Sequence, residues 1–112
     1  MDEIINLFKA LSDETRVRIL ILLYKQKLCV CQMCGIMGES QPKISKHLAR
    51  LKSIGLIKDE RQEQFIYYYL NYENELLKDL LHKIILNLEN SSIIKKDLNN
   101  LECAGEYIIS KE

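Results

Sequence analysis

Between residues 28 and 52 the chain reads Leu-Cys-Val-Cys-Gln-Met-Cys-Gly-Ile-Met-Gly-Glu-Ser-Gln-Pro-Lys-Ile-Ser-Lys-His-Leu-Ala-Arg-Leu-Lys, and no other stretch constrains the fold as much. Its first half holds three of the four cysteines, Cys29, Cys31 and Cys34. Beyond Glu39 it carries Lys43, Lys46, His47, Arg50 and Lys52 without an acid. Ile44, Leu48 and Leu51 recur at helical spacing behind those bases. Ser40 is placed to cap that helix, Pro42 fits its first turn, where a missing N–H costs little, and Gly55 ends it. Residues 30–37 put Val30, Met33 and Met37 on one side, and the glycine-containing turn 38–40 joins the two short helices. The pattern predicts a helix-turn-helix whose second, base-reading helix is 40–54.

Upstream, Ile4, Ile5, Leu7, Phe8 and Leu11 repeat at helical spacing over residues 2–11. Ser12 is positioned to cap a second helix over 13–24, with Asp13 and Glu14 in the first turn, where the helix dipole favours acids. Val17, Ile19, Leu20, Ile21, Leu22 and Leu23 make that helix apolar around most of its circumference, so it should form the centre of the core. Lys25-Gln-Lys27 reads as a polar turn. Beyond Gly55, residues 56–60 and 65–70 read as two strands flanking Arg61-Gln-Glu-Gln64, with Phe65, Tyr67 and Tyr69 alternating with Ile66, Tyr68 and Leu70. This hairpin is the expected wing. Residues 71–88 return to helix through Leu76, Leu77, Leu80, Leu81, Ile84, Ile85 and Leu88, an apolar face too wide for one small core to hide. A partner helix is implied. Ile93, Ile94, Leu98 and Leu101 allow one more helix, whereas Cys103-Ala-Gly105 and Tyr107-Ile-Ile109 show no period. The expected architecture is mainly α with a small β-hairpin: a winged helix-turn-helix over residues 1–90, which binds DNA and dimerises, and a C-terminal tail over 91–112.

At 112 residues the chain supports one core. No apolar run approaches the roughly 20 residues of a membrane span, and the Met-Asp-Glu start has no signal-peptide pattern, so the expected compartment is the cytoplasm. Thiols stay reduced there, and four cysteines then point to ligation or redox chemistry before structural disulfides. Formal net charge is zero. Its distribution is uneven: Lys43, Lys46, Arg50, Lys52 and Lys58 are the only charges from residue 40 to 58, and acids outnumber bases afterwards. A local basic patch suffices for phosphate contacts, and a dimer doubles it.

Three cysteines within six residues are poorly explained by packing, although a single one such as Cys34, near Met33 and Met37, often is. Soft thiolates select thiophilic ions. Three sulfurs without a fourth donor suit trivalent arsenic or antimony, which bind in a pyramid, whereas structural zinc prefers four ligands. Each helical residue advances about 100°, so Cys31 and Cys34 lie about 60° apart but Cys29 and Cys31 about 160° apart. Either Cys29 precedes the first turn or ligand binding unwinds it. On the basic helix, Ser40, Gln41, Lys43, Ser45, Lys46 and His47 are the candidates facing a groove, with Arg50 and Lys52 on phosphates.

At these residues the chain resembles the ArsR/SmtB family of winged-helix repressors. Phe8-Lys-Ala-Leu-Ser-Asp-Glu-Thr-Arg16 resembles the family's N-terminal signature, and Leu28-Cys-Val-Cys31 with Ser40-Gln-Pro-Lys-Ile-Ser-Lys-His-Leu48 resembles its arsenite-responsive branch. The resemblance implies a homodimeric repressor that leaves an imperfect inverted-repeat operator when arsenite or antimonite, as inducer, binds Cys29, Cys31 and Cys34. It also implies dimerisation through residues 4–11 and 71–88. The tip 61–64 lacks the glycine usual there. Zinc-sensing relatives use paired ligands on the last helix, but Asp79 and His82 have no matching second pair and read as an exposed helix pair. Cys103 resembles a tail cysteine of some arsenic repressors and reads as a bystander.

Two rivals keep the fold and change the stimulus. Cys31-Gln-Met-Cys34 is a C-x-x-C pair suited to a redox switch, which would not need Cys29. Cadmium or lead would fit if another thiolate, Cys103 included, completed the shell. No nucleophile–base pair or phosphate-binding glycine loop stands out, so an enzyme is not expected.

Overall fold

In a computed structural model that describes residues 1–108, six helices are joined by a small antiparallel sheet. Helices α1 (Asp2–Leu11) and α2 (Glu14–Lys25) lead to a short strand β1 (Leu28–Cys29), then to α3 (Val30–Met37) and α4 (Gln41–Ser53). Strands β2 (Ile57–Gln62) and β3 (Phe65–Leu70) form the wing, followed by α5 (Glu75–Asn87), α6 (Ser92–Leu101) and a 3₁₀ turn at Ala104–Tyr107. The fold is a winged helix-turn-helix.

Helix α2 sits at the centre because its middle leaves no solvent face: Ile19, Leu20, Ile21, Leu22 and Leu23 are all at most 1% exposed. Burying each such side chain contributes roughly 1.5–3 kcal/mol. The helix is capped by Asp13, whose carboxylate accepts from the Arg16 N–H at 3.0 Å, and not by Ser12. Ser12 instead closes α1, its hydroxyl donating to the Lys9 carbonyl at 2.6 Å. Asp13 wins because it has the extended backbone an N-cap needs, while Ser12 is still in the turn.

Helix α4 begins as expected, with Ser40 accepting from Lys43 N–H, and ends in a Schellman turn. There Leu56 N–H donates to the Leu51 carbonyl, Gly55 N–H donates to that of Lys52, and Gly55 takes φ +81°. Helix α5 starts at Glu75, four residues later than the apolar pattern suggests, because Asn71 and Asn74 build a turn and Asn74 caps the helix.

The sheet differs from the expected hairpin in two ways. Strand β2 runs on to Gln62, which pairs with Phe65, so the tip is the two-residue turn Glu63–Gln64. Glu63 takes φ +59° there, a conformation that glycine or asparagine adopts with less strain. Glu63→Gly should therefore stabilise the fold by about 1 kcal/mol, read as a higher urea midpoint at unchanged slope. Secondly, β1 adds a third strand, giving the order β1-β3-β2, with Leu28 opposite Tyr68 and Cys29 opposite Tyr67. The residues just before α3 are thus fastened to the wing.

The C-terminal segment joins the same core. Ile94, Asp97, Leu101 and Ala104 are buried, and α6 packs on α2 and α3. Ile109 lies outside the described residues. No helix among the described residues is long and apolar enough to cross a membrane.

Candidate functional site

Cys29 ends β1 and caps α3 with extended backbone (φ −91°, ψ 171°), so it precedes the first helical turn. Its N–H donates to Gln32 Oε1 at 3.0 Å, and its Sγ lies 3.2 Å from Cys31 Sγ. Leaving the helix lets Cys29 escape the roughly 160° separation an unbroken helix would impose. Cys34 sits one turn further along, half-buried. Among the described residues no group of three Cys, His, Asp or Glu side chains converges closely enough to hold one metal ion. Cys29 and Cys31 are together, and Cys34 stands apart from them on the next turn. The sulfurs in contact are also not those of the C-x-x-C pair.

Burial pushes the Cys29 thiol up to about 11, with the neighbouring Cys31 adding to the effect. Burial raises Cys34 too, and the charge of Cys31 contributes. These thiols are therefore held protonated near neutral pH, and ligation by sulfur must displace their protons. The three cysteines line one cleft of about 960 Å³. Gln41 and Ser45 of α4 form one wall, Phe65 and Tyr68 of the wing another, and Glu106 and Tyr107 of the tail a third.

On α4, Ile44, Leu48 and Leu51 are buried, so the opposite face is presented to solvent. Ser40, Gln41, Lys43, Lys46, Arg50 and Lys52 are exposed, and Ser45 is half-buried with its hydroxyl accepting from Gln41 Nε2 at 3.4 Å. Two of these bases are engaged within the chain: Lys43 with Glu39 at 3.1 Å and Lys52 with Asp59 at 2.9 Å. Lys46 and Arg50 have no salt bridge among the described residues.

His47 does not belong to that face. It is 8% exposed, turned inward beside Ile44 and Leu48, with Nε2 3.9 Å from the Asp13 carboxylate. Burial lowers its pKa and outweighs the opposing pull of Asp13. The unfolded imidazole therefore takes up its proton first, at about 6.5. The stability this provides is complete above about pH 6.5 and is lost as pH falls towards the lower folded value. His47→Gln should flatten the fall in urea midpoint between pH 7 and pH 5.

Periodicity passed over the most connected residue near the site. Arg18, 5% exposed within the apolar α2, donates from Nε and Nη2 to the two carboxylate oxygens of Asp97 at 2.8 and 2.9 Å. Nη2 also donates to the Met37 carbonyl at 2.9 Å, and Nη1 reaches Glu39 at 3.3 Å. One guanidinium thereby ties α2, α6 and the turn between α3 and α4, and Glu39 passes the link to Lys43. An arginine set between Val17 and Ile19, at the start of the apolar run, was the available signal, since a buried charge needs an acidic partner. Asp79 and His82 are exposed on α5, with Tyr24 Oη 3.5 Å from His82 Nδ1. Cys103 is exposed and does not line the cleft.

Residues 13–59 match the model of the family described as bacterial regulatory protein, arsR family. The chain is 51% identical over 69 residues to the arsenic resistance transcriptional regulator ArsR2 of Pseudomonas putida, covering 61% of this chain and 60% of that one. It is 48% identical over 68 residues to the arsenical resistance operon repressor of Escherichia coli, covering 60% of this chain and 58% of that one. The match thus spans under two thirds of the length of either relative. A fuller match, 37% over 100 residues, covers 88% of this chain and 77% of the arsenic resistance transcriptional regulator ArsR1 of P. putida. Among solved structures, HlyU from Vibrio cholerae superposes with a TM-score of 0.70 at 27% identity, covering 75% of this chain and 89% of that one. The homodimeric winged helix-turn-helix DNA-binding domain of Mb0332 from Mycobacterium bovis gives 0.67 at 26% identity, covering 79% and 80%.

Proposed function

Because this chain belongs to the ArsR family of bacterial regulatory proteins, we propose that it is a homodimeric transcriptional repressor released from operator DNA when trivalent arsenic or antimony binds Cys29, Cys31 and Cys34. One observation carries the reading: the Cys29–Cys31 pair, 3.2 Å apart, opens into a cleft whose wall includes Gln41 and Ser45 of α4. A ligand held by sulfur there acts within reach of the helix that enters the groove.

Exposed Gln41, Lys46 and Arg50 are the groove and phosphate contacts, with Lys43 and Lys52 added once their acids let go; buried His47 serves the core instead. Ile4, Ile5 and Phe8 on α1 and Leu76 and Leu86 on α5 remain 38–57% exposed, an apolar surface suited to a two-fold partner. Such a dimer presents two copies of α4 to an inverted-repeat operator. The DNA-binding and dimerising unit covers residues 1–90, and α6 with the 3₁₀ turn at Ala104–Tyr107 packs behind it.

Binding is coupled to release because Cys34 must move towards the other two sulfurs. That motion disturbs α3, which buttresses α4. A coupling of about 1–3 kcal/mol changes DNA affinity by roughly five- to 150-fold. The three-sulfur assignment is tested by alkylating the reduced protein with iodoacetamide, with and without arsenite, and locating labels by peptide mass spectrometry. Arsenite should protect Cys29, Cys31 and Cys34 and leave Cys103 reactive. Protection of two cysteines alone would remove Cys34 from the ligand set.

A further inference from the structure

The cysteine-bearing helix is gripped from outside the helix-turn-helix, by the tail. Gln32, 6% exposed between Cys31 and Met33, uses both ends of its amide: Oε1 accepts from Cys29 N–H at 3.0 Å, and Nε2 donates to the Ala104 carbonyl at 3.2 Å. One turn on, the Tyr107 ring lies against Gly35 so closely that a Cβ built there would fall inside it. Beside it, Asn100 Nδ2 donates to the Ile36 carbonyl at 3.0 Å. These contacts interleave with Cys31 and Cys34, and Tyr107 lines the same cleft as both thiols.

In this tail-docked arrangement the three sulfurs do not converge. Cys34 sits one turn along α3 from the other two, and the groups that hold that turn are those touching Gln32, Gly35 and Ile36. Building on the three-cysteine reading above, we infer that Gln32 and Tyr107 are positioning residues of the thiol site, and that tail docking and ligand binding oppose each other. The docked tail holds α3 in the open-thiol form, and Asp97 simultaneously braces the α3–α4 turn through Arg18 and the Met37 carbonyl. The ligand draws Cys34 in, lifts Tyr107 off Gly35 and loosens that brace. By linkage, whatever undocks the tail tightens ligand binding by the same factor.

The test combines arsenite calorimetry with hydrogen exchange on the full reduced protein. Arsenite should speed amide exchange over residues 100–107. Tyr107→Ala and Gly35→Ala should each bind arsenite at least about fivefold more tightly than wild type. Gly35→Ala guards against a folding artefact, since alanine favours the helix it sits in while its methyl displaces the ring. Tyr107→Phe keeps the ring and should behave as wild type. Damage of a merely structural kind would weaken arsenite binding in both variants, which would overturn the inference. So would tail exchange that arsenite leaves unchanged or slows while it still binds. Failure of wild type to bind arsenite would remove the three-cysteine reading itself, and this inference with it.

Discussion

Asp97→Ala should lower the unfolding free energy by about 3 kcal/mol or more, the largest loss expected from any one polar substitution in the chain. Asp97 is 1% exposed and takes two hydrogen bonds from Arg18, itself 5% exposed. Removing the carboxylate leaves a guanidinium that cannot lose its proton in a site that excludes water; the half-buried Glu39, 3.3 Å away, compensates only in part. Small domains are stable by about 5–15 kcal/mol in all, so such a variant sits near the limit of folding. Replacing both partners, as Arg18→Leu with Asp97→Leu, should recover most of the loss, because the pair's attraction mainly offsets its own desolvation. Urea denaturation at fixed protein concentration reads both, and a loss under about 1 kcal/mol for Asp97→Ala would show the pair to be solvated.

Lys46→Ala combined with Arg50→Ala should make operator binding much less sensitive to salt and at least about 100-fold weaker at physiological ionic strength. Both side chains are exposed on the outer face of α4, and neither is engaged by an acid among the described residues. A dimer loses four cations; if each meets a phosphate, the slope of log affinity against log salt shrinks by roughly 3–4. Lys43→Ala and Lys52→Ala should cost less, since those ammonium groups must first leave Glu39 and Asp59. Equal effects at all four positions would mean that the intramolecular pairs do not persist near DNA.

Most of the helical frame was legible because α2 and α4 carry their core residues at unbroken helical spacing. What the sequence concealed lay in contacts between distant positions. Strand β1 is two residues long and exists only because β3 pairs with it, so no local period could announce it. The partner of Arg18 lies 79 residues away on another helix, beyond the reach of any local pattern. The position of Cys29 outside α3 was one of two arrangements its spacing allowed, and strand pairing with Tyr67 decides between them. His47 is a different case, because Ile44, His47, Leu48 and Leu51 together form a full helical stripe. Its inward orientation was readable, but a basic context drew it to the wrong face.

The most direct test is fluorescence anisotropy of the reduced protein on labelled DNA from its own upstream region, titrated with arsenite and in parallel with cadmium, zinc and a mild oxidant. Arsenite should release the DNA near stoichiometry with subunits, and Cys31→Ser or Cys34→Ser should abolish that release while leaving DNA affinity in place. If arsenite left the complex intact while cadmium or oxidant dissolved it, the fold and family would stand. The assignment of Cys29, Cys31 and Cys34 to trivalent arsenic would then be contradicted.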